Sequence, residues 1–166
     1  NVARDSSNFA DAGTAWGTPE HWTITTATSL IDGQTAYRHT NDGLGSARER
    51  GQDRSTFSGE PETFYVIVEN VDATVTEINL RSSTANANIM ARLTWATGAA
   101  SVVEGTGTAH ALKLAERGPN GGVVYLLAVT GTHTANEFRR LSIYPTGRNV
   151  NTATVILHHA QHVVAG

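Results

Sequence analysis

The sequence predicts an all-β domain, an antiparallel β-sandwich of jelly-roll-like type. Short β-prone segments recur every ~10–14 residues between turns rich in Gly, Asn and Asp, which is the spacing of about ten short strands. Several segments alternate apolar and polar residues with the period of two that marks a half-buried strand. No window is long and amphipathic enough to predict a helix. We therefore expect residues 1–166 to form a single sandwich domain.

The centre of the predicted sheet is residues 62–81, where a short turn separates two strands. Residues 62–70 form a nearly unbroken run of β-branched and aromatic residues, which favours a strand covered on both faces. Residues 75–81 alternate strictly, which predicts one buried and one wet face. We expect the buried face to carry Thr76, Ile78 and Leu80. The wet face is expected to carry Val75, Glu77, Asn79 and Arg81. The two strands are predicted to pair as a central hairpin.

The remaining strands are expected to extend or cover this hairpin. Turn signals such as Asp32-Gly33 and the run Arg-Gly-Pro-Asn-Gly-Gly at 117–122 separate them. Phe9 and Trp16 are expected to pin an irregular N-terminal lead-in. The predicted outer strands span residues 22–28, 35–40, 46–52, 89–95, 101–106, 109–115, 123–129, 138–144 and 152–164.

Composition excludes several classes of function. A formal net charge of −3 and a pI near 6.2 give no electrostatic reason to expect nucleic acid or an anionic membrane as a partner. The absence of Cys excludes disulfides and thiolate chemistry. No run approaches the ~20 apolar residues of a membrane span, and no signal peptide is visible. Because the sequence begins at Asn1 rather than Met, we expect a processed product or a piece of a longer protein.

Four short motifs occur in an order that resembles a known family. They are Arg4-Asp5-Ser6-Ser7-Asn8-Phe9 followed by Trp16, then Glu62-Thr63-Phe64-Tyr65-Val66, then residues 117–125, and finally Val155-Ile156-Leu157-His158-His159-Ala160-Gln161. The family is that of the carbohydrate-binding-module-like jelly rolls of bacteriophage head-spike, tail-fibre and other virion proteins. The resemblance extends over nearly the whole chain, although Gly122-Val123 stands where that family has a Trp.

The resemblance implies a non-catalytic domain on the surface of a virion, in a capsid decoration, a head spike or a fibre. The implied partners are other virion subunits, in a homo-oligomer such as a trimer, and a cell-surface polysaccharide. Related modules often hold structural calcium, here near Asp5, Asn8 or Asp11. Related jelly rolls also accompany polysaccharide-degrading enzymes, so the alternative is a carbohydrate-binding module of a secreted enzyme. A small polysaccharide lyase or hydrolase is a third hypothesis, to which no nucleophile or phosphate-loop motif points.

Aromatic and arginine side chains supply the candidates for ligand contact. Aromatic rings stack on the apolar faces of pyranoses, and Arg matches a carboxylate or sulfate bidentately. The candidates are Tyr37, Arg38, Arg48, Arg50, Arg139 and Tyr144. Trp95 shares its strand face with apolar residues and is expected to be in the core. Two other interpretations of the arginines stay open, namely a solvated face paired with Glu49, Glu77, Glu104 and Glu137, or contacts with neighbouring subunits.

Three histidines near the end of the sequence raise the question of a metal site. A regular strand would place His158 and His162 on one face about 13 Å apart, with His159 on the other face. No nearby Cys or carboxylate completes a tetrahedral ligand set. We therefore predict no metal, no cofactor and no catalytic residue, and we expect these histidines at an interface or a strand end.

Overall fold

The computed structural model describes residues 9, 22–43, 50–56, 59–82, 87–134, 138–148 and 152–164. This part of the chain holds eleven strands in two antiparallel sheets, and none of its residues is helical. Accordingly, these ranges hold no helix that could cross a membrane. The strands are β1 (Trp22–Thr28), β2 (Thr35–Asn41), β3 (Arg50–Thr56), β4 (Glu62–Asn70), β5 (Val75–Ser82), β6 (Ala87–Thr94), β7 (Ala99–Glu104), β8 (Gly107–Ala115), β9 (Val124–Gly131), β10 (Phe138–Tyr144) and β11 (Thr154–Val164). The predicted all-β sandwich is confirmed.

The two sheets are linked by a nested strand order. The six-stranded sheet runs β1-β2-β11-β4-β9-β8, and the five-stranded sheet runs β3-β10-β5-β6-β7. Strands β2, β3 and β4 therefore pair with β11, β10 and β9, respectively, in alternate sheets. This nesting brings the two halves of the chain together and is typical of a jelly roll.

The core lies between the sheets and is built from alternate residues of each strand. Phe64, Val66 and Val68 of β4 are fully buried, and Ile78 and Leu80 of β5 join the same cluster from the other sheet. Residues on the opposite face of β4 are mostly half-buried, so this strand is less covered than its apolar run predicted. The predicted pin Phe9 is fully buried in the core, and Trp16 lies outside the described residues.

β4 and β5 do not form the predicted hairpin. They lie in different sheets, so residues 71–74 form an arch from one sheet to the other. Asn70 Oδ1 accepts the N–H of Ala73 at 2.9 Å, and the N–H groups of the first two arch residues both donate to the carbonyl of Thr154 at 3.3 Å. The predicted strands are correct, but their pairing is wrong because these bonds turn the connection out of the plane of the sheet.

The face of β5 that alternation predicted to be wet is largely buried. Glu77 is 0% and Asn79 is 1% exposed. The reason is that Arg92 of β6 and Arg148, which follows β10, both bond to the carboxylate of Glu77 and lie over it. Alternation identified the core face of β5 correctly, but it carries no information on which charged partners cover the other face.

Candidate functional site

An ionic network covers part of the outer face of the five-stranded sheet. Glu77 Oε1 accepts from Arg92 Nε at 2.8 Å and Nη2 at 2.6 Å, and Glu77 Oε2 accepts the N–H of Arg148 at 2.8 Å. Glu104 Oε2 accepts from Arg148 Nη1 at 2.8 Å, and Glu104 Oε1 accepts from Asn88 Nδ2 at 2.5 Å. Both carboxylates therefore have both oxygens bonded. The network agrees with the interpretation in which arginines pair with Glu77 and Glu104.

A further buried carboxylate, Glu69 near the end of β4, fixes the turn at 117–122. Glu69 is fully buried. Its Oε1 accepts the N–H groups of Asn120 at 3.1 Å and Gly122 at 2.8 Å, and its Oε2 accepts from Asn120 Nδ2 at 2.9 Å. The turn that the sequence predicted therefore wraps around a carboxylate. Because both oxygens are bonded to donors inside the protein, this carboxylate holds structure in place.

His158 supports Glu69 from the other side. His158 Nε2 lies 3.2 Å from Glu69 Oε2, and His158 Nδ1 accepts the N–H of Leu30 at 3.0 Å. Since Nδ1 is an acceptor, the ring is the neutral tautomer whose Nε2–H donates to Glu69. Burial lowers the pKa of His158, and this effect outweighs the opposing pull of Glu69, so the neutral form is favoured.

Asn120 carries the turn across the outer face of the six-stranded sheet to its edge strand. Asn120 Nδ2 donates to the carbonyl of Thr28 at 2.8 Å, and Asn120 Oδ1 accepts the N–H of Thr28 at 3.2 Å. The backbone comes very close to β4 here, because a Cβ on Gly122 would collide with the carbonyl oxygen of Asn70. The turn is thus fixed at both ends and packed without room for a larger residue at Gly122.

The turn, the arch and β2 enclose a concavity of about 240 Å³, which we call the Arg38 pocket. Its lining residues are Arg38, Asn70, Val71, Asn120, Gly121 and Gly122. Arg38 is half-buried, and within the described ranges its guanidinium has no hydrogen-bond or ion-pair partner. The Arg38 pocket therefore contains a partly desolvated cation whose donors are unused.

A more apolar concavity of about 430 Å³, which we call the Trp95 pocket, adjoins the arch. Its lining residues are Asn70, Ala73, Thr74, Val75, Thr94, Trp95 and Ala96. The indole Nε1 of Trp95 donates to Thr76 Oγ1 at 3.0 Å, and the ring meets Tyr125 edge to face with 5.8 Å between centroids. Trp95 packs against the core as predicted and also forms a wall of this pocket. Asn70 lines both pockets, so they are neighbours.

The predicted contact residues whose side chains the structure describes, Tyr37, Arg38 and Tyr144, do not all line one pocket. Arg38 reaches its pocket, whereas Tyr37 packs against the core and is half-buried. Tyr144 lies on the outer face of the five-stranded sheet but is only 6% exposed. Neither tyrosine is fully open to solvent, because Tyr144 is buried and Tyr37 is half-buried against the core, and their role in stacking stays a prediction. Arg48 and the side chains of Arg50 and Arg139 lie outside the described residues, so their contact role stays a prediction.

A β-bulge in β11 separates the histidines that a regular strand would align. The register of β11 against β4 shifts between Leu157 and His159. His158 consequently reaches Glu69, whereas His162 pairs with core-facing positions of β4 and places Nε2 2.6 Å from Glu62 Oε2. The expected shared face of His158 and His162 is wrong, because the bulge leaves no mark in the residue pattern. No group of three potential metal ligands occurs among the residues that the structure describes.

Glu69 and Asn120, which shape the Arg38 pocket, were not among the residues that the sequence pattern indicated. One signal could have found Glu69, since it is a charged residue inside the apolar run of β4. A carboxylate in a covered strand requires donors, because burying it unpaired is costly. No comparable signal identifies Asn120, because its partners Glu69 and Thr28 are distant in sequence.

No family model matches the sequence, and no curated protein matches it. Solved structures match it in fold. The enzymatically active domain of tailspike protein 4 of bacteriophage CBA120 has a TM-score of 0.61 and 12% identity, over 99% of this chain and 21% of that one. An exo-β-agarase has a TM-score of 0.52 and 9% identity, over 97% and 25% of the two chains.

A third structure is endo-1,4-β-D-xylanase 10B of Clostridium thermocellum, whose CBM22-1 and GH10 modules were complexed with xylohexaose. It has a TM-score of 0.49 and 15% identity, over 87% of this chain and 25% of that one. The chain therefore spans a quarter or less of the length of these three proteins. At these identities, the matches to the tailspike domain and the exo-β-agarase show that they share a fold with this chain. The chain is a β-sandwich similar to one part of a phage tailspike protein and of an agarase.

Proposed function

We propose that this chain is a non-catalytic recognition domain of a virion surface protein, in a capsid decoration, a head spike or a fibre, and that it contacts glycan. The observation that carries the proposal is the Arg38 pocket, where the one charged lining residue is an arginine whose guanidinium has no partner among the residues that the structure describes. A guanidinium stays protonated at physiological pH, so it binds ligands and does not shuttle protons.

The state of the buried carboxylates supports recognition over catalysis. Glycoside hydrolysis requires two carboxyl groups that flank the bond to be broken. Glu69 and Glu77 are both fully buried, and both oxygens of each accept hydrogen bonds from protein donors. A carboxylate held in this way is engaged by the fold and is not presented to a substrate.

The proposed virion location rests on the order of the four sequence motifs and is supported by the fold likeness to part of a phage tailspike protein. We propose that the domain works in a homo-oligomer beside other virion subunits. The second candidate is a carbohydrate-binding module of a secreted polysaccharide-degrading enzyme, which the likeness to part of an exo-β-agarase favours.

A glycan array tests the recognition function. The domain is expected to bind at least one class of surface polysaccharide, and Arg38→Gln is expected to weaken that binding at least tenfold. Arg117→Gln is the matched control, because Arg117 is an exposed arginine of the same turn that does not line the pocket. Failure to bind any glycan would contradict the proposal, and so would binding that Arg38→Gln leaves unchanged.

Two further measurements test the remaining parts of the proposal. Incubation with the bound glycans should release neither new reducing ends nor unsaturated products, and release by the purified domain would contradict the non-catalytic assignment. Antibodies raised against the domain should label intact particles in electron micrographs. Antigen confined to the particle-free culture medium would favour the secreted-enzyme module instead. Light scattering after size-exclusion chromatography should give a mass at least twice the 17.6 kDa of one chain, and a mass of one chain would contradict the homo-oligomer.

A further inference from the structure

We infer that the Arg38 pocket and the Trp95 pocket are two halves of one site for an acidic saccharide. The carboxylate of one sugar lies on Arg38, and the apolar ring face of the adjacent sugar lies in the Trp95 pocket. This inference rests on the proposed glycan recognition and goes beyond it by naming the class of ligand and its orientation. Four features carry the inference, namely unused donors, fixed walls, an apolar neighbour and suitable size.

The unused donors of Arg38 select an anionic group. A half-buried guanidinium has lost part of its hydration, and a bidentate carboxylate restores two parallel charge-assisted hydrogen bonds at once. Two amide side chains also line the pocket. Asn120 already bonds to Thr28 and Glu69, and Asn70 Oδ1 accepts the N–H of Ala73. Arg38 is therefore the one charged donor among the described residues that line the pocket. A neutral hydroxyl would satisfy it less well than an oxyanion.

The walls of the Arg38 pocket are fixed before any ligand arrives. Glu69 holds the turn through Gly122 at 2.8 Å, and the N–H of Asn70 donates to the carbonyl of Val123 at 3.0 Å. Asn70 also holds the arch through its bond to Ala73. Binding to prearranged walls avoids the entropic cost of ordering loops. Because Asn70 belongs to both pockets, the same bonds fix the spacing between them.

The Trp95 pocket suits the apolar face of a sugar ring. The residues that line it carry no charge, and three of them are Ala73, Val75 and Ala96. The indole N–H of Trp95 is already used by Thr76, so the indole offers its carbon surface to a ligand. Pyranose C–H faces pack on such surfaces, while hydroxyls such as those of Thr74 and Thr94 can bond to the sugar edge.

The size of the two pockets fits a short oligosaccharide. The Trp95 pocket of about 430 Å³ falls within the volume range of small-ligand sites by itself, and the smaller Arg38 pocket of about 240 Å³ shares Asn70 with it. The Arg38 pocket offers a cation, and the Trp95 pocket offers an apolar wall. A ligand with an acid group on one sugar and an apolar face on the next matches both.

Isothermal titration calorimetry with pairs of acidic saccharides and their esters tests the role of the Arg38 pocket. The probes are oligosaccharides that end in glucuronate, galacturonate or sialate, each beside its carboxyl methyl ester, which removes the charge and keeps the sugar. At least one free acid should bind at least tenfold more tightly than its ester. Arg38→Gln should abolish this preference, Arg38→Lys should retain part of it, and Arg117→Gln should leave it unchanged.

Two variants test the apolar half. Trp95→Phe should weaken acid and ester by the same factor of about 5 to 10, because stacking on a ring does not depend on ligand charge. Ala96→Gln places a larger side chain in the pocket from an exposed position and leaves Trp95 unchanged, and it should also weaken acid and ester equally. Circular dichroism and thermal unfolding of each variant identify any folding defect.

The outcomes separate this inference from the proposed function. Equal affinity for acid and ester in every pair, or tight binding of neutral glycans that depends on Arg38, would overturn the acidic ligand and leave glycan recognition standing. Affinity that neither Trp95→Phe nor Ala96→Gln changes would overturn the two-part site. Absence of binding to any glycan would overturn both the inference and the proposed function.

Discussion

Buried carboxylates mark the residues that hold this fold together. Glu62, Glu69 and Glu77 are each at most 1% exposed. Each has donors nearby, from a histidine in the first case, from a turn in the second and from two arginines in the third. Charge-assisted hydrogen bonds offset the cost of removing such groups from water. Replacing one of these carboxylates should therefore lower the free energy of unfolding more than replacing a residue of an exposed ion pair.

Glu69→Gln is expected to lower the free energy of unfolding by about 2–4 kcal/mol. The amide of Gln would present N–H groups to the donors of Asn120, Gly122 or His158, leaving at least one donor unsatisfied. Urea unfolding at pH 7 measures the difference. Glu116→Gln is the control, because the side chain of Glu116 is 79% exposed and pairs with Lys113, and it should cost less than about 1 kcal/mol. Equal costs for the two variants would contradict the role of Glu69.

Two histidines should make the fold sensitive to mild acid. Burial lowers the pKa of His158 and of His159 below the ordinary value of 6.5. The unfolded chain therefore takes up protons on these rings at a higher pH than the folded one does. The contribution to stability is complete above pH 6.5 and is lost as the pH falls below it, at up to about 1.4 kcal/mol per pH unit for each proton.

The urea midpoint should accordingly be flat from pH 8 to 7 and fall between pH 6.5 and 5.5. His159→Gln removes one of the two rings and should make that fall shallower, while it keeps a polar side chain beside Tyr65, whose ring centroid lies 6.2 Å from that of His159. A midpoint that rises on acidification, or a variant with an unchanged slope, would show that these rings do not control the response.

At the scale of the elements, the turn at 117–122 depends on two of its glycines. Gly121 has a φ of 94° with open space beyond its Cα, whereas a side chain at Gly122 would collide with the backbone of Asn70. Gly121→Ala should therefore cost about 1–2 kcal/mol from backbone strain. Gly122→Ala should cost about 3 kcal/mol or more, because the turn must leave Glu69 to relieve the collision.

Thermal unfolding of the two alanine variants measures this difference. Gly122→Ala should also lose ligand binding through the Arg38 pocket, while Gly121→Ala should keep most of it. Equal stability of the two variants, or intact binding by Gly122→Ala, would mean that the turn can move away from β4 without consequence.

The elements themselves were largely predictable from the sequence, and their pairing was not. The patterns of β4 and β5 gave both strands and the core face of β5, since alternation depends on burial of one face. Whether two neighbouring strands pair or face each other across the core is decided by the connection. Here that decision lies in bonds from the arch to Thr154, which is more than 80 residues away in sequence.

One lining residue of the candidate site was a predicted contact residue, whereas the way in which the lining segments meet was not predictable. Arg38 was predicted, and it opens into a pocket. Tyr37 is its neighbour on β2, and adjacent strand residues point to opposite faces, so the two could not both serve one site. The other walls of the Arg38 pocket come from the arch and from the turn around Asn120, and no local pattern reports that these segments meet.

At the scale of the whole molecule, β11 joins the two halves of the six-stranded sheet. It lies between β2 and β4, and its residues pair with Thr40 to Tyr37 on one side and with Asn70 to Glu62 on the other. Ile156 is paired with Arg38 of β2 and also with Glu69 of β4. Without β11, the pair β1-β2 would have no bonded neighbour in the sheet.

A chain that ends at Thr152 is therefore expected to fail to fold. It should show no cooperative urea transition and should bind the dye ANS, because the core faces of β2 and β4 would be left open. The full sequence, purified in the same way, provides the reference with a single sharp transition. A truncated chain that unfolds cooperatively with an unchanged midpoint would mean that the sheet can close without its central strand.

The position of β11 also sets the order of events while the chain is being made. The ribosome releases the strands from β1 onward, so β2 and β4 each have one unpaired edge until β11 emerges. The walls of the Arg38 pocket belong to β2 and β4 and to the turn and arch beside them. A nascent chain therefore has no completed pocket until the step that closes the sheet.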